Sequence, residues 1–199
     1  MTDKTLDFYA RNAETYAAQS RPSPRLATFL RLLAPGSHIL ELGTGSGRDA
    51  AEMLHAGFRV DATDGSPELA RCAERLIGQP VRILLFTELD AEGVYDAVYA
   101  NASLLHAPRH ELPDIINRIY KALKPGGHVW ASFKAGEAEG EDRLGRRYNY
   151  PSRLELEELW RNNGPWQQVR VESWQGGAYD GQPTEWLSVI ARRPGQAGT

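Results

Sequence analysis

The chain has 199 residues, a mass of 22.1 kDa and a formal net charge of −3, which fits one domain of ordinary composition. A general nucleic-acid binder normally carries a basic surplus, so that class is disfavoured. One cysteine, Cys72, excludes an intramolecular disulfide framework and a cysteine-cluster metal site. The sequence has neither an apolar run of about 18 residues nor a basic N-terminal segment followed by an apolar one, so we expect a soluble, cytoplasmic protein.

Helical periodicity predicts two helices before the first strand. Apolar residues recur at helical spacing over residues 3–18 and again over 24–34. Pro35 and Gly36 end the second helix, because proline and glycine interrupt regular structure. A short apolar strand is then predicted at 37–42, directly before a glycine-rich turn.

Strands and helices alternate through the middle of the chain. After the first strand, strands are predicted at 58–63, 81–86, 95–100 and 128–133, and helices at 47–56, 67–78 and 109–123. This alternation is the signature of a parallel sheet with right-handed crossovers.

The pattern changes after residue 134. Residues 135–150 are polar and form a long predicted connection, and a helix is expected at 152–162. Two further strands, 167–175 and 185–191, are separated by glycines and a proline, which indicates a hairpin-like antiparallel ending. The prediction is therefore a three-layer α/β sandwich with five parallel strands and two more, one of them antiparallel.

The glycine-rich turn after the first strand reads ELGTGSGRD over residues 41–49. Glycines there let the backbone turn tightly and approach a ligand closely, and the helix that follows offers free N–H groups to an anion. Asp64 ends the second strand, where a carboxylate can accept hydrogen bonds from both hydroxyls of a ribose. Together, the turn and Asp64 predict a nucleoside-containing ligand at the carboxyl edge of the sheet.

Two cofactor classes compete for this turn. The dinucleotide pattern Gly-x-Gly-x-x-Gly fails from Gly43, where Arg48 takes the third glycine position, and fits tolerably from Gly45, two residues late. Glu41 instead favours a cofactor with an amino-acid portion. A carboxylate at this position can bind the amino group of that portion, whereas it would repel the pyrophosphate of a dinucleotide. An NAD(P)-dependent oxidoreductase and a non-catalytic cofactor-binding module remain the alternatives.

Four motifs, taken in order, resemble those of the class I S-adenosylmethionine-dependent methyltransferases. They are ELGTGSG at 41–47, DGS at 64–66, YDAV at 95–98 and LKPGG at 123–127. The segment that begins at Phe8 and the SLLH that begins at Ser103 are similar to small bacterial members, some of them tellurite-resistance-like.

The resemblance implies a single methyltransferase domain over residues 1–199, with residues 1–34 as an N-terminal helical lid. It implies a three-layer αβα Rossmann-like fold whose seven-stranded, mostly parallel sheet has the order 3-2-1-4-5-7-6, with strand 7 antiparallel. The implied cofactor is S-adenosyl-L-methionine. The implied partner is a small-molecule methyl acceptor, with no nucleic acid and no membrane, and the expected state is a monomer or homodimer.

The resemblance also implies a cofactor site. Glu41 and the turn glycines would line the methionine portion, Asp64 would hold the ribose, and the residues after the third strand would flank adenine. The implied cofactor-binding residues are Tyr16, Glu41, Gly43, Thr44, Gly45, Gly47, Arg48, Asp64, Gly65, Ser66, Phe86, Thr87, Glu88, Leu89, Asn101, Ala102 and Ser103.

The acceptor is expected beside the end of the fourth strand. His106 follows that strand, and a histidine titrates near neutrality, so it is the candidate general base. Arginines beside aromatic residues in 134–151 can clamp an anion, which predicts a small, anionic or polar acceptor. The predicted substrate-binding residues are Tyr9, His106, Lys134, Arg146, Arg147 and Tyr150. No metal-binding motif is recognised, so no metal is predicted.

Overall fold

A computed structural model describes residues 3–179 and 181–196, so residues 1–2, 180 and 197–199 of the predicted domain lie outside these ranges. The described residues contain the helices α1 (Asp3–Gln19), α2 (Leu26–Leu30), α3 (Arg48–His55), α4 (Pro67–Ile77), α5 (Leu112–Ala122) and α6 (Arg153–Asn162). Their strands are β1 (His38–Leu42), β2 (Arg59–Asp64), β3 (Arg82–Ile83), β4 (Tyr95–Ala100), β5 (Leu123–Lys134), β6 (Gly140–Glu141), β7 (Arg147–Tyr148), β8 (Gln168–Gly177) and β9 (Pro183–Arg192).

Within the described ranges, seven strands form one sheet of order β3-β2-β1-β4-β5-β9-β8. The first five are parallel, and β9 is antiparallel to both of its neighbours. Because β6 and β7 form a separate small hairpin, β8 and β9 are the sixth and seventh strands of the main sheet. The predicted fold class and the strand order 3-2-1-4-5-7-6 are therefore confirmed.

Two apolar layers lie on opposite faces of this sheet. Successive side chains of a strand point to opposite faces, and in β1 Ile39 joins the core of α2, α3 and α4 while Leu40 joins the core of α5 and α6. Both side chains are fully buried. Helix α1 stands apart from these layers and packs against α4 through Ala13, Leu69 and Cys72.

Three predicted elements differ in length. The second helix, predicted at 24–34, is confined to Leu26–Leu30, and tighter turns with N–H to C=O bonds three residues apart follow it. The third strand, predicted at 81–86, is only Arg82–Ile83, because the chain enters a 3₁₀ turn at Phe86–Glu88. The fifth strand begins at Leu123 instead of residue 128, since Leu123 already pairs with Tyr95 of β4, although the register shifts before His128 pairs with Ala97.

The predicted connection at 135–150 is an ordered, anchored segment. Asn149 is fully buried, and its side-chain amide donates to the carbonyls of Leu104 and Ala107. The Arg109 guanidinium donates to the carbonyls of Asn149 and Tyr150. These bonds fix the segment against the loop after β4, at the carboxyl edge of the sheet.

Candidate functional site

A cavity of about 390 Å³ opens at the carboxyl edge of the sheet, where parallel α/β sheets bind ligands. Helix α1 and the tip of the β8–β9 hairpin cover it, since Tyr16 and Tyr179 both line it and their ring centroids are 5.5 Å apart. The cavity has an acidic end, lined by Glu41, Asp49 and Asp64. Its other end, the aromatic end, is lined by four aromatic residues and three basic ones: Tyr9, Tyr148, Tyr179, Trp186, His106, Lys134 and Arg146.

The glycine-rich turn forms the floor of the acidic end. The amides of Gly43 and Thr44 both donate to the carbonyl of Thr63, at 2.9 and 2.8 Å, which ties the turn to β2. Gly43 has φ +74°, and a Cβ there would lie 2.5 Å from the Cβ of Ser103. Glycine is therefore required by both the backbone conformation and the close approach of the loop after β4.

Asp64 connects the turn to the start of α4. Its two oxygens accept from the amides of Gly45 and Ser66, each at 2.8 Å. The carboxyl is buried, and burial raises its pKa to about 6 despite these hydrogen bonds. These two hydrogen bonds hold the Asp64 side chain in position.

Glu41 is the most strongly perturbed acid at this end. It is 2% exposed and accepts a hydrogen bond from the Thr44 hydroxyl. Burial, followed by repulsion from Asp49, raises the pKa of Glu41 to about 8. At neutral pH without a cation nearby, this carboxyl is therefore mostly protonated.

Asp49 links three parts of the acidic end. Its carboxylate accepts from the Ser23 amide at 2.6 Å, and from the Tyr99 hydroxyl and the Asn101 amide at 3.1 Å each. Burial raises the pKa of Asp49. The residue therefore joins the segment after α1 to the end of β4, beneath the cavity.

A hydrogen-bonded chain crosses the aromatic end. The His106 Nδ1 lies 2.6 Å from the Arg147 carbonyl, and its Nε2 lies 2.9 Å from the Tyr9 hydroxyl oxygen. Because a carbonyl can only accept, Nδ1 carries the proton and Nε2 accepts from Tyr9. Burial, and to a lesser extent the charges of Arg146 and Lys134, lower the pKa of His106 to about 3.

Arg146 is a buried cation in the same region. Its Nε and Nη2 donate to one oxygen of Asp142, at 3.0 and 2.7 Å. Aromatic rings surround the guanidinium, with the centroids of Phe8 and Tyr179 at 4.9 and 5.1 Å. The Lys134 ammonium lies 4.1 Å from the Tyr148 ring centroid, so two cations face this end of the cavity.

Comparisons with known proteins agree with this geometry. A family model described as a methyltransferase domain matches residues 40–129. The structure of 1,6-didemethyltoxoflavin-N1-methyltransferase from Burkholderia thailandensis, with bound 1,6-didemethyltoxoflavin and S-adenosylhomocysteine, is 26% identical with a TM-score of 0.75. That match covers 95% of this chain and 85% of the other. The family model, the relatives and the solved structures support a class I S-adenosylmethionine-dependent methyltransferase.

Two curated relatives are similar over shorter stretches. A phosphoethanolamine N-methyltransferase from Triticum aestivum is 28% identical over 149 residues, which are 71% of this chain and 30% of the relative. A ubiquinone biosynthesis O-methyltransferase from Xanthomonas campestris is 33% identical over 109 residues, 51% of this chain and 45% of the relative. The matches thus span less than half the length of either relative.

The acidic end fits S-adenosylmethionine, the cofactor of this family. The amino group and the sulfonium of this cofactor are cationic, and three buried carboxyls of the chain meet at one end of the cavity. A Cβ at Gly45 would lie 3.4 Å from the Tyr16 ring, so glycine there keeps space between the turn and α1. The residues present therefore match the charge of the cofactor and leave room for it.

Most of the predicted cofactor residues line the cavity. Those on its wall are Tyr16, Glu41, Gly43, Thr44, Gly45, Arg48, Asp64, Phe86, Asn101, Ala102 and Ser103. Those that the structure does not bring to the wall are Gly47, Gly65, Ser66, Thr87, Glu88 and Leu89. Ser66 instead caps α4 by accepting from the Leu69 amide, and the exposed Glu88 accepts from the Leu85 amide.

The predicted substrate residues divide in the same way. Tyr9, His106, Lys134 and Arg146 line the cavity, whereas Arg147 and Tyr150 do not. The Arg147 side chain faces Glu139 at 3.5 Å, and the Tyr150 ring stacks on Tyr148 with centroids 5.2 Å apart.

The sequence analysis missed Asp49, Tyr179 and Trp186, which also line the cavity. Asp49 follows the glycine turn, but an acid in the first turn of a helix is common because of the helix dipole. Tyr179 and Trp186 lie in the C-terminal hairpin, where no motif marks them. Among the described residues, no group of three metal-ligating side chains is placed to hold an ion, and no helix is long and apolar enough to cross a membrane.

The hydrogen bonds of the His106 ring predict its protonation state. In ¹⁵N spectra, we expect the His106 ring to show a neutral, Nδ1-protonated tautomer that does not titrate between pH 8 and pH 5, because its pKa is about 3. In the urea-unfolded chain the same ring should titrate near the ordinary histidine pKa of about 6.5. A folded-state midpoint above pH 5.5 would show that the ring is not held as described.

Proposed function

We propose that this methyltransferase transfers a methyl group from S-adenosylmethionine to a small acceptor that carries an anionic or polar group. The observation that carries the proposal is a single cavity with buried carboxyls at one end and two cations among aromatic rings at the other. The acidic end suits a cationic cofactor, and the aromatic end suits an acceptor of opposite charge.

The roles of the residues follow from this division. Glu41, Asp49 and Asp64 hold the cofactor, which supplies an electrophilic methyl group when bound. Lys134, Arg146 and the aromatic rings orient the acceptor toward it. Because the methyl group is already activated, these residues act mainly through proximity and orientation.

The relatives support a small-molecule acceptor without identifying it. Their names refer to 1,6-didemethyltoxoflavin, phosphoethanolamine and ubiquinone biosynthesis, which are three chemically different acceptors or routes. Methyl transfer is common to them, and the acceptor is not. We therefore assign the reaction type to this chain by analogy, and the acceptor class from its own residues.

A transfer assay tests the proposal. The full chain should bind S-adenosylhomocysteine in calorimetry but not NAD, and should transfer label from methyl-labelled S-adenosylmethionine to a member of a metabolite panel. Tight NAD binding without S-adenosylhomocysteine binding would favour an oxidoreductase. Cofactor binding with no transfer to any panel member would favour the non-catalytic module.

A further inference from the structure

The polar groups that Arg146 and Lys134 bring to the aromatic end are hydrogen-bond donors. Arg146 uses Nε and Nη2 on Asp142, while its Nη1 points toward the Tyr9 oxygen at 3.5 Å. Lys134 adds an ammonium whose residue is 7% exposed. Ammonium and guanidinium groups donate and never accept, so the ligand that complements them brings acceptor atoms.

The groups that could remove a proton from the acceptor are already engaged in the described part of this end. Both His106 nitrogens are hydrogen-bonded, Nδ1 to a carbonyl and Nε2 to the Tyr9 hydroxyl. Asp142 accepts from the Arg146 side chain and from the amides of Leu144 and Arg146. The buried acids Glu41 and Asp64 lie at the other end of the cavity.

A proton taken up by His106 would also be poorly tolerated. The resulting imidazolium would be 3% exposed and would stand beside Arg146 and Lys134, with little water to screen the repulsion. This argues against the general-base role predicted for His106 from its position after β4. It also means that a neutral acceptor with a weakly acidic O–H or N–H has no described partner for its proton.

We propose that the acceptor is methylated as a preformed anion: a carboxylate, an acidic phenol or enol, or an acidic ring N–H, and not an amine or aliphatic alcohol. This inference rests on the proposed function. The anion's lone pair forms the bond to the methyl carbon while the carbon–sulfur bond breaks and its electron pair stays on sulfur. The methylated acceptor is then neutral, and no proton has to leave.

The aromatic rings add selectivity against cationic acceptors. Rings such as these usually attract cations, but the guanidinium of Arg146 and the ammonium of Lys134 already occupy positions against Phe8, Tyr148 and Tyr179. An alkylammonium would meet like charges, and the neutral amine would leave as a cation after methylation. Electrostatics thus favours the binding of an anionic acceptor before transfer and a neutral product over a cationic one after it.

Matched probes test the inference by binding. The complex of the full chain with S-adenosylhomocysteine is titrated with benzoate, benzyl alcohol and benzylamine, which have similar shapes and different charges. We expect benzoate to bind at least tenfold more tightly than the other two. Lys134→Met should lower benzoate affinity about tenfold, while Lys121→Met, at an exposed lysine, should not. Tighter binding of benzylamine than of benzoate would overturn the inference.

A pH profile tests the same point by turnover. With 4-nitrophenol as acceptor, the transfer rate should follow the ionisation of the phenol itself, and the midpoint should stay fixed in His106→Asn, His106→Gln and Asp180→Asn. Asp180→Asn is included because Asp180 is a carboxylate outside the described residues, and the variant tests whether it acts as the base. A midpoint that moves in any folded variant would identify a protein base and contradict the inference. Transfer to amines alone would also contradict the inference but leave the proposed function intact. Benzoate binding without transfer to any acceptor would contradict the proposed function, and methylation of the anion with it.

Discussion

Replacing Glu41 with glutamine is expected to stabilise the cofactor-free protein at pH 9 and to weaken cofactor binding at the same pH. The carboxyl is buried, and its pKa in the folded chain is about 8, against an ordinary value of 4.5. Between these two pH values the folded state holds a proton that the unfolded state has lost. The contribution of Glu41 to folding stability is therefore retained below pH 4.5 and lost as the pH rises toward 8.

The size of the effect follows from the same difference. The difference between these two pKa values corresponds to about 5 kcal/mol of destabilisation once the carboxylate is fully ionised, as an upper figure because the folded structure relaxes around the charge. Glutamine has the same shape and no charge, so it avoids this cost. At pH 5 the protonated acid and the amide should differ little in stability, and at pH 9 the variant should be more stable by roughly 1–4 kcal/mol.

Cofactor binding should respond in the opposite direction. The ammonium group of S-adenosylhomocysteine, placed at the acidic end, stabilises the Glu41 carboxylate, so binding at pH 7 should release close to one proton, measurable by calorimetry in buffers of different ionisation enthalpy. Glu41→Gln should abolish this release and weaken S-adenosylhomocysteine binding by about 100-fold, the loss of one buried charge-assisted contact. Glu158→Gln, on the exposed face of α6, is the matched control. Equal proton release in the variant would show that Glu41 does not face the ligand.

The acidic end was largely predictable because its residues follow strands directly. Gly43, Gly45 and Asp64 come at the carboxyl ends of β1 and β2, and the parallel order of those strands brings them to one edge. Asp49 was not predictable in the same way. Its contacts with Ser23 and Asn101 join segments far apart in the chain, and one sequence does not reveal such contacts.

The aromatic end was harder to predict because burial and side-chain direction decide it. Arg146 and Arg147 are neighbours with the same charge, but adjacent residues of an extended segment point to opposite sides. Arg146 consequently faces the cavity with Tyr148, whereas Arg147 faces Glu139. For His106, its position after β4 indicated a site residue, but the Arg147 carbonyl and the Tyr9 hydroxyl that hold its two nitrogens come from remote segments.

Replacing Gly43 with alanine should have the largest structural effect in the cavity floor. The φ of +74° disfavours any side chain, and the new Cβ would lie 2.5 Å from the Cβ of Ser103. Ser103 cannot easily retreat, because its hydroxyl donates to the Leu42 carbonyl at 2.6 Å. We expect the free energy of unfolding to fall by about 3–5 kcal/mol and S-adenosylhomocysteine affinity to fall at least 100-fold.

A substitution at Gly36 separates the cost of the positive φ from the cost of the steric clash. It has the same φ of +74°, but nothing lies within 4 Å of a Cβ built there. Gly36→Ala should therefore cost only the backbone conformation, about 1–2 kcal/mol, and leave cofactor binding unchanged. The double variant Gly43→Ala/Ser103→Gly removes the clashing Cβ and should recover more than 1 kcal/mol relative to additivity in a denaturation cycle. If Gly43→Ala cost no more than Gly36→Ala, the close contact between the turn and the loop after β4 would not exist, and the narrow cavity floor derived from it would be wrong.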